Sequence, residues 1–461
     1  MGGSGGILTS PAQIDLTGCH PSCGVWACDL SFDGRRFYLT YTDVKTKKYF
    51  YNTHNYLIYS ESINGPWSKP VYLNSAGFDP SVFHDTDGRK YLVDMLNGFK
   101  GITVQSLDPV ILVPVGDPVK IFEGSGIGCT EGPHLYKVGE YYYLITAEGG
   151  TGYDHCVSVA RSRDLYGPYE VHPDNPTLTS NSDSPLQKCG HGDIVFDKDG
   201  RSYIVFLCSR PVDGNTSILG RETAIEELVW DDGWPRLKNG TKCAGTLTGI
   251  DSIQEESDAF YDDFSEEDIK TVYSSPRRNY HEFAEVCTGL CGKRLLRLTG
   301  RESINSFFRV SLLSYRIREV NVSAITRMHF SSFSSEQMAG LCIVYDALNN
   351  YMFVQTSVEG RPCLKLIRSD KGVVEELETI TLEDADDGVD LSIEMREGKK
   401  ILFGYRTQEE WVMMDSVADA CILSDEYCRG FTGTQIGMYA HDLTGMGTYA
   451  EFEYFKVEEK L

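Results

Sequence analysis

The stretch Asp33-Gly-Arg-Arg-Phe-Tyr-Leu-Thr-Tyr41 decides the fold, because its pattern of a polar turn before an aromatic strand recurs three times. The later copies are Asp87-Gly-Arg-Lys-Tyr-Leu-Val93, Val138-Gly-Glu-Tyr-Tyr-Tyr-Leu-Ile145 and Asp199-Gly-Arg-Ser-Tyr-Ile-Val-Phe206. The anchor aromatics follow one another at intervals of 54, 51 and 61 residues: Phe37, Tyr91, Tyr142 and Tyr203. A period near 50 residues with several short strands per unit predicts a β-propeller, of which four units are visible. A large β-sandwich with coincidental turns is the alternative.

The repeat is lost beyond a polar, turn-like stretch at residues 252–258. Later segments alternate apolar and polar residues as half-buried strands do, for example Met352–Thr356, Leu391–Met395 and Tyr449–Lys456. This pattern predicts a second all-β domain, a sandwich. We therefore expect an all-β chain with a flexible, linker-like start at residues 1–6, a propeller at residues 7–257 and a sandwich at residues 258–461.

Composition excludes several classes of protein. The 461 residues are 41% hydrophobic and 24% charged, which is typical of globular domains and not of disordered or fibrous chains. The formal net charge of −24 would repel phosphate backbones, so we expect no nucleic-acid partner. No apolar run approaches the roughly 20 residues that cross a bilayer, so we expect no membrane span.

The cysteines and the N-terminus indicate a cytoplasmic protein. The 14 cysteines are scattered, and a chain of this length needs no disulfide framework. The first six residues have neither the basic nor the apolar region of a signal peptide. A zinc site at Cys19, His20, Cys23 and Cys28 is an alternative use of the first cysteines, although their spacing is not that of paired Cys-x-x-Cys units.

Two carboxylates stand in unusual settings. Asp79 lies between Phe78 and Pro80 just before a strand, and Glu131 lies in a turn where Asp, Asn or Gly would fit better. An Asx-turn and a surface acid are the structural alternatives for Asp79 and Glu131, respectively. No P-loop, dinucleotide fingerprint, zinc-protease motif or nucleophile elbow occurs in the chain.

Other polar and aromatic candidates lie at similar places in the repeats. His191 precedes a strand, Arg221 follows Leu219-Gly220, and Trp26 is placed to stack on a sugar. A core histidine and a surface ion pair with Glu222 are the alternatives for His191 and Arg221. The inner strands of a propeller surround one axis, so these residues would converge on one pocket. Two carboxylates, a histidine and an arginine there are typical of a glycosidase.

Seven segments in this order resemble glycoside hydrolase family 43, in particular its bacterial β-xylosidases: Gly24-Val-Trp26-Ala, Tyr41-Thr-Asp43-Val, Gly77-Phe-Asp79-Pro-Ser, Thr130-Glu131-Gly-Pro-His134, Thr146-Ala-Glu148-Gly-Gly-Thr151, Lys188-Cys-Gly-His191 and Leu219-Gly-Arg221-Glu-Thr223. Residues 337–341, 423–427 and 430–433 resemble the concanavalin-like sandwich of those enzymes. The resemblance implies a five-bladed propeller and an inverting exo-hydrolase. Such an enzyme releases xylose, and often arabinose, from the non-reducing ends of xylo-oligosaccharides or arabinosides, and a homo-oligomer is among the states we expect.

The resemblance also implies roles for single residues. Glu131 corresponds to the general acid, and Asp79 to the residue that orients it and raises its pKa. Arg221 corresponds to an arginine that contacts sugar hydroxyls, and Phe431 to an aromatic residue that closes the pocket from the sandwich. His191 corresponds to a histidine of the central channel that in some relatives holds Ca²⁺ through water; no cofactor is required for the reaction.

The departures from the family concern activity. The family's general base is an Asp in a Pro-Asp-Pro-Ser-like motif of the first blade, and this sequence has no such motif before Gly24. We therefore predict a truncated first blade, an absent general base and little or no turnover. Asp29 is the remaining candidate for the base, with a turn or strand-start role as its alternative. A non-catalytic carbohydrate-binding protein and an inactive fragment are the competing functions.

Overall fold

The computed structural model describes residues 7–46, 50–245, 259–289, 292–383 and 387–460. The predicted linker-like start at residues 1–6 and the predicted domain boundary at residues 257 and 258 lie outside these ranges. Regular structure within them is almost entirely β-strand, and the α-helix α1 (Asp425–Cys428) has only four residues. None of the described helices has the length and apolar character needed to cross a membrane.

Four antiparallel sheets of four strands each form the described part of the first domain. Sheet I contains β1 (Gly24–Phe32), β2 (Phe37–Thr46), β3 (Asn52–Ser60) and β4 (Val71–Asn74). Sheet II contains β5 (Gly77–His84), β6 (Lys90–Leu96), β7 (Ile102–Leu107) and β8 (Pro114–Phe122). Sheet III contains β9 (Glu131–Val138), β10 (Tyr141–Glu148), β11 (Cys156–Ser162) and β12 (Glu170–Val171). Sheet IV contains β13 (Gln187–Phe196), β14 (Ser202–Ser209), β15 (Glu222–Asp231) and β16 (Trp234–Leu237).

The recurring sequence pattern forms the first hairpin of every sheet. Its anchor aromatics lie in the second strands β2, β6, β10 and β14. In sheet I the Asp33 carboxylate accepts hydrogen bonds from the backbone N–H groups of Arg35 and Arg36, at 3.0 and 2.8 Å. Gly34 has φ 88°, which only glycine adopts readily. The Asp-Gly turn is therefore the local cause of the repeat.

The first strands of the sheets lie next to one another around a common axis. β1 contacts β5, β5 contacts β9, and β13 packs against β9, β10 and β11. Apolar residues fill the space between neighbouring sheets, for instance Phe83 and Leu144 between sheets II and III and Ile145 and Ile204 between sheets III and IV. This arrangement is that of a β-propeller, and residues 7–23 before sheet I contain no strand.

Sheets I and IV expose apolar side chains. Leu30 and Phe32 of β1 are 46% and 51% exposed, and Ile225 and Val229 of β15 are each 40% exposed. Ile225 lies opposite Val205 in the β14–β15 ladder, on the face away from sheet III.

Sixteen further strands in the described residues form two sheets of a sandwich. Their bounds are β17 (Phe260–Asp262), β18 (Tyr273–Ser274), β19 (Ala284–Thr288), β20 (Arg294–Thr299), β21 (Ser311–Arg316), β22 (Asn321–Phe330), β23 (Gln337–Val344), β24 (Asn350–Val358), β25 (Arg361–Asp370), β26 (Val373–Thr381), β27 (Val389–Arg396), β28 (Lys400–Arg406), β29 (Val412–Met413), β30 (Ala418–Asp419), β31 (Gln435–Asp442) and β32 (Tyr449–Lys460). Sheet V has the order β19-β20-β32-β22-β27-β28-β29, with β17 on β32 and β30 on β28. Sheet VI has the order β18-β21-β31-β23-β24-β25-β26.

The sandwich confirms the predicted all-β second domain, but one of its strands differs from the prediction. β22 alternates between buried and half-buried residues as a half-covered strand does. Met352–Thr356 of β24 is buried on both faces instead. Phe353 packs into the core between the sheets, while Met352 packs outward against a second cluster that includes Ile304. The extra cover on the outer face is a tertiary effect that the alternation does not reveal.

The two domains share part of one core. Ile218 and Leu219, in the loop between β14 and β15, belong to the apolar cluster of the sandwich. Thr434 of the sandwich donates its backbone N–H to the carbonyl of Ile218 at 2.9 Å. A Cβ on Gly220 would lie 2.5 Å from the backbone N of Gly433, so the two chains touch backbone to backbone. The loop that precedes Arg221 is therefore fixed by the sandwich.

Candidate active site

Asp79 and Glu131 meet at the inner ends of sheets II and III. Asp79 is the third residue of β5 and Glu131 is the first residue of β9. Each is only 7% exposed, so neither is a surface acid or the residue of an exposed Asx-turn. Asp79 Oδ2 accepts a hydrogen bond of 3.1 Å from the backbone N–H of Gly132. This bond places the Asp79 carboxylate next to the residue that carries the second carboxylate.

The two carboxyl groups have strongly raised pKa values. Burial raises the pKa of Glu131 to about 8; the negative charge of Asp79 acts in the same direction, and the positive charge of Arg221 opposes it. Burial also raises the pKa of Asp79 to about 7, against the Gly132 N–H and the charge of His134. Two buried carboxyl groups this close do not ionise together, so one of them keeps a proton near neutral pH.

His191 lies directly against the backbone of Gly132, the residue that follows Glu131. A Cβ on Gly132 would come within 2.6 Å of His191 Nε2, so only glycine fits between the imidazole and β9. Burial lowers the pKa of His191 to about 3, and the charges of His134, His155 and Arg221 act in the same direction. His191 is therefore a neutral imidazole close to Glu131.

His134 joins three sheets at the centre of the propeller. Its Nδ1 lies 3.5 Å from Asp29 Oδ1 of sheet I and 4.0 Å from Asp193 Oδ1 of sheet IV. Burial would lower the pKa of His134, but the Asp193 and Asp29 carboxylates raise it to about 9. Asp29 Oδ2 also accepts the backbone N–H of Val82 at 3.1 Å. Asp29, the predicted alternative for the base, is therefore already bonded on both of its oxygens.

The predicted zinc ligands Cys19, His20, Cys23 and Cys28 do not form a donor cluster. Among the described residues, the group of His, Cys, Asp and Glu donors that lies within 4.8 Å is Asp29, His134 and Asp193.

Trp26 is one member of an aromatic wall beside Asp79. Its ring meets Phe78 edge-on at 5.3 Å, and its Nε1 donates to the carbonyl of Ser22 at 3.0 Å. Tyr51 stacks on Phe78 at 5.8 Å, and Phe99 contacts Phe78 at 6.2 Å. Trp26 remains partly exposed, and Tyr51 is 43% exposed. Such exposed aromatic faces next to carboxylates are suited to the apolar face of a sugar ring.

Arg221 and Phe431 come together from different domains. The Arg221 guanidinium carbon lies 5.7 Å from the centre of the Phe431 ring, and its Nη2 donates to the carbonyl of Thr151. Arg221 Nε is buried with no hydrogen-bond partner among the described residues. The predicted surface pair with Glu222 is wrong, because Glu222 pairs with Arg210 at 2.8 Å. Arg221 therefore has an unused donor close to Glu131.

An ion pair between buried Lys188 and half-buried Glu426 fixes the sandwich over this site. Lys188 Nζ lies 2.6 Å from Glu426 Oε1, and Glu426 also accepts the backbone N–H of Ser217 at 2.7 Å. The Tyr153 hydroxyl donates to the same carboxylate at 3.1 Å. Glu426 is five residues before Phe431, so these bonds also fix the chain that carries Phe431. We call Lys188, Ser217 and Glu426 the domain latch.

The structure brings all the predicted site residues to one region. Arg221 reaches it from an unexpected place, because it precedes the third strand of its sheet and not the first. Sequence reasoning assigned no role to several residues that help to build the region: Tyr51, His134, Glu148, Lys188 and Glu426. Of these, His134, Glu148, Lys188 and Glu426 stand within quoted motifs, and this was the one available signal for them.

The fold and the buried carboxylate pair define a β-propeller glycosidase with an appended sandwich. The family model described as glycosyl hydrolases family 43 matches residues 5–235, and the model described as beta xylosidase C-terminal concanavalin A-like domain matches residues 261–458. The chain belongs to glycoside hydrolase family 43, and it is a glycoside hydrolase.

Full-length relatives agree with this assignment. Xylosidase/arabinosidase 43B of Humicola insolens is 41% identical over 97% of this chain and 87% of its own length. Beta-xylosidase of Bacillus subtilis strain 168 is 37% identical over 98% of this chain and 90% of its own length. The crystal structure of xylan beta-1,4-xylosidase from Bacillus halodurans C-125 has a TM-score of 0.91 and 35% identity, and the match covers 98% of this chain and 90% of that one. The sequence-based resemblance to the family and the predicted fold class are thereby confirmed.

Proposed function

We propose that the protein releases xylose, and also arabinose, from the non-reducing ends of xylo-oligosaccharides with inversion at the anomeric carbon. The observation that carries the proposal is the buried Asp79–Glu131 pair beside an aromatic wall. The names of the relatives as xylosidases and arabinosidases support the choice of sugar.

Glu131 is the general acid of the proposed reaction. Its raised pKa keeps the carboxyl group protonated near neutral pH, as proton donation to the leaving oxygen requires. Asp79 holds the backbone beside Glu131 and supplies part of the electrostatic effect that raises the pKa. Arg221 supplies a positive charge between Glu131 and the Phe431 ring, and we assign it the contact with a sugar hydroxyl.

Slow turnover is part of the proposal. An inverting hydrolase needs a second carboxylate about 6.5–9.5 Å from the acid, on the far side of the sugar, to activate water. Asp79 is bonded to Gly132, and Asp29 is bonded to Val82 and faces His134. Asp193 Oδ1 accepts the hydroxyl of Tyr136. Each of these three carboxylates already has a protein partner, so we expect the hydrolytic step to lack efficient general-base assistance from them.

The test is turnover of 4-nitrophenyl β-xyloside, 4-nitrophenyl α-arabinofuranoside and xylobiose, with and without azide as an external nucleophile. We expect slow xylose release without azide and faster nitrophenol release with it. Fast release of xylose without azide would refute the proposal that an efficient general base is missing. Binding of xylobiose by calorimetry with no turnover under either condition would indicate a carbohydrate-binding protein and contradict the hydrolytic proposal.

The channel residues also fit a divalent cation. Two carboxylates and an imidazole lie within 4.8 Å of one another at Asp29, His134 and Asp193, with His191 beside them. Because these carboxylates raise the pKa of His134 to about 9, they would hold the ion themselves, and the ion would displace the His134 proton. Ca²⁺ takes six to eight oxygen ligands, so water would have to complete the shell. We propose Ca²⁺ at this place as a structural ion that joins sheets I, III and IV, while the protein's own residues carry out the reaction.

Calcium is expected to raise the melting temperature of chelator-treated protein. A ligand at 100 times its Kd stabilises the folded state by about 2.7 kcal/mol. Asp193→Asn should abolish this increase, whereas Asp199→Asn, an exposed acid in the nearby β13–β14 turn, should retain it. Equal melting temperatures of the wild-type protein with EDTA and with CaCl₂, measured by calorimetry, would refute the site.

Phe431→Ala is expected to raise KM for xylobiose while kcat changes little. The ring closes the site from the sandwich, and an aromatic contact is worth about 0.5–1.5 kcal/mol, or roughly 2- to 12-fold in affinity. Phe333→Ala is the control, because Phe333 is a 66% exposed phenylalanine elsewhere on the sandwich. An unchanged KM together with an unchanged melting temperature would show that Phe431 does not contact the sugar.

We also propose that the protein works in a reducing compartment and that it associates with itself. The cysteines of the described ranges are free thiols, which supports a reducing compartment such as the cytoplasm. The exposed apolar faces of sheets I and IV support self-association, which sedimentation at several concentrations would test.

A further inference from the structure

The segment that brings Glu131 into the site has little stiffness of its own. Residues 123–130 connect β8 to β9 and contain three glycines with positive φ, of 115°, 101° and 100°, at positions 124, 126 and 128. Cys129, directly before Thr130, also has a positive φ of 52°. Glycine-rich backbone has many accessible conformations, so other groups must fix the position of Glu131.

One buried carboxylate holds this segment at two points. Glu148 is 0% exposed, and its Oε1 accepts the backbone N–H of Ser125 at 2.8 Å and the hydroxyl of Thr130 at 2.7 Å. Its Oε2 accepts the hydroxyls of Ser125 and Ser158, the latter at 2.8 Å. Burial of a carboxylate is unfavourable unless hydrogen bonds compensate it, and here four donors do so.

The bonds of Glu148 reach the acid by a short path. Thr130 is covalently joined to Glu131, and Ala147, next to Glu148, lies opposite Glu131 in the β9–β10 ladder. The backbone N–H of Gly149, the residue after β10, donates to the carbonyl of Gly128 at 2.9 Å, which adds a backbone bond to the segment. A Cβ on Gly124 would lie 2.4 Å from Thr130 Oγ1 and 3.1 Å from Glu148 Oε1, so only glycine lets the segment pack this closely against them.

We propose that Glu148 is a positioning residue for the general acid: through Ser125 and Thr130 it fixes the segment that places Glu131 against Asp79 and the sugar's leaving oxygen. The proposal rests on the function proposed for Glu131. A misplacement of about 1 Å at a reacting group lowers rates by about 100-fold, so loss of this anchor should affect proton donation more than folding.

The test compares two substrates that differ in their need for a proton. Phenyl β-xyloside has a poor leaving group and 2,4-dinitrophenyl β-xyloside a good one, and both are measured with and without azide. Glu148→Gln and Thr130→Val should lower kcat/KM by about 10- to 100-fold on the phenyl substrate and by less than about threefold on the dinitrophenyl substrate. Thr130→Val retains the Glu148 charge, so a shared effect reports position and not charge.

Two controls separate positioning from stability. Ser158→Ala removes a bond to the other Glu148 oxygen and a 3.5 Å contact with the Ser125 hydroxyl, but it leaves both bonds from the segment to Glu148 Oε1 in place. Glu226→Gln alters another buried glutamate, in sheet IV. Both should leave the ratio of the two substrates unchanged. Equal losses on both substrates in Glu148→Gln, or a Ser158→Ala effect as large as that of Thr130→Val, would overturn the proposal.

A titration of ¹³C-labelled glutamate by NMR decides the matter independently of turnover. The Glu131 signal is assigned by its absence in Glu131→Gln. Its midpoint should fall in both Glu148→Gln and Thr130→Val, because a displaced carboxyl group is less buried and farther from Asp79. An unchanged midpoint in both variants would refute the positioning role. Absence of hydrolysis by the wild-type protein with either xyloside would count against the proposed function and leave this measurement in force.

Discussion

Glu131→Ala should lower kcat by about 10²- to 10⁴-fold on substrates with poor leaving groups, which is the usual contribution of general acid–base catalysis. The loss should be much smaller on 2,4-dinitrophenyl β-xyloside, because dinitrophenolate leaves without a proton. The comparison is made with azide present, so that attack on the sugar does not limit the rate.

The control for Glu131 is Glu140→Ala. Glu140 lies near the far end of the same hairpin and forms a solvent-exposed ion pair with Arg163. It should retain full activity on both substrates. If Glu131→Ala lost the same factor on good and poor leaving groups, Glu131 would have a role other than proton donation.

Asp79→Asn should lower kcat and move the basic limb of the pH–rate profile to lower pH. The acid must be protonated to act, so activity falls as pH rises through the pKa of Glu131, which stands at about 8. Asn removes the negative charge that helps to raise this pKa, and deprotonation then occurs at lower pH. The limb is recorded as log kcat/KM against pH.

Asp94→Asn is the matched control for Asp79. Asp94 is a buried aspartate of the same sheet. Its oxygens accept hydrogen bonds from the Thr103 hydroxyl at 2.5 Å and from Asn74 Nδ2 at 2.7 Å. Its substitution should leave the basic limb in place. A lowered rate with an unmoved limb in Asp79→Asn would mean that Asp79 orients the substrate and does not tune the acid.

The fold followed from the sequence because its causes are local. The Asp-Gly turns before Phe37, Tyr91 and Tyr203 each form a hairpin, and these hairpins define the repeat. Asp79 and Glu131 could be singled out for equally local reasons, since Asp79 lies between Phe78 and Pro80 and Glu131 suits its turn poorly. The full burial of Met352 was not predictable, because residues far along the chain cover that face.

The supports of the site were not predictable from local pattern. Glu148 differs from any strand-end glutamate only through donors at Ser125, Thr130 and Ser158, which the fold brings together. Glu426 likewise acquires its meaning from Lys188, which is 238 positions away in the chain. Long-range hydrogen bonds of this kind have no periodicity to detect, so the structure was needed to find them.

The domain latch has a consequence for recombination. Lys188 and Ser217 belong to the propeller, and Glu426 belongs to the sandwich. The residues that they bring together, Arg221 and Phe431, face each other across the boundary between the two domains. A chimera that exchanges the sandwich alone would lose the register of its pocket unless the donor carried the matching glutamate and the apolar partners of Ile218 and Leu219. We therefore expect the propeller and its sandwich to be inherited together. In directed-evolution libraries, crossover points should lie outside both domains and not between them.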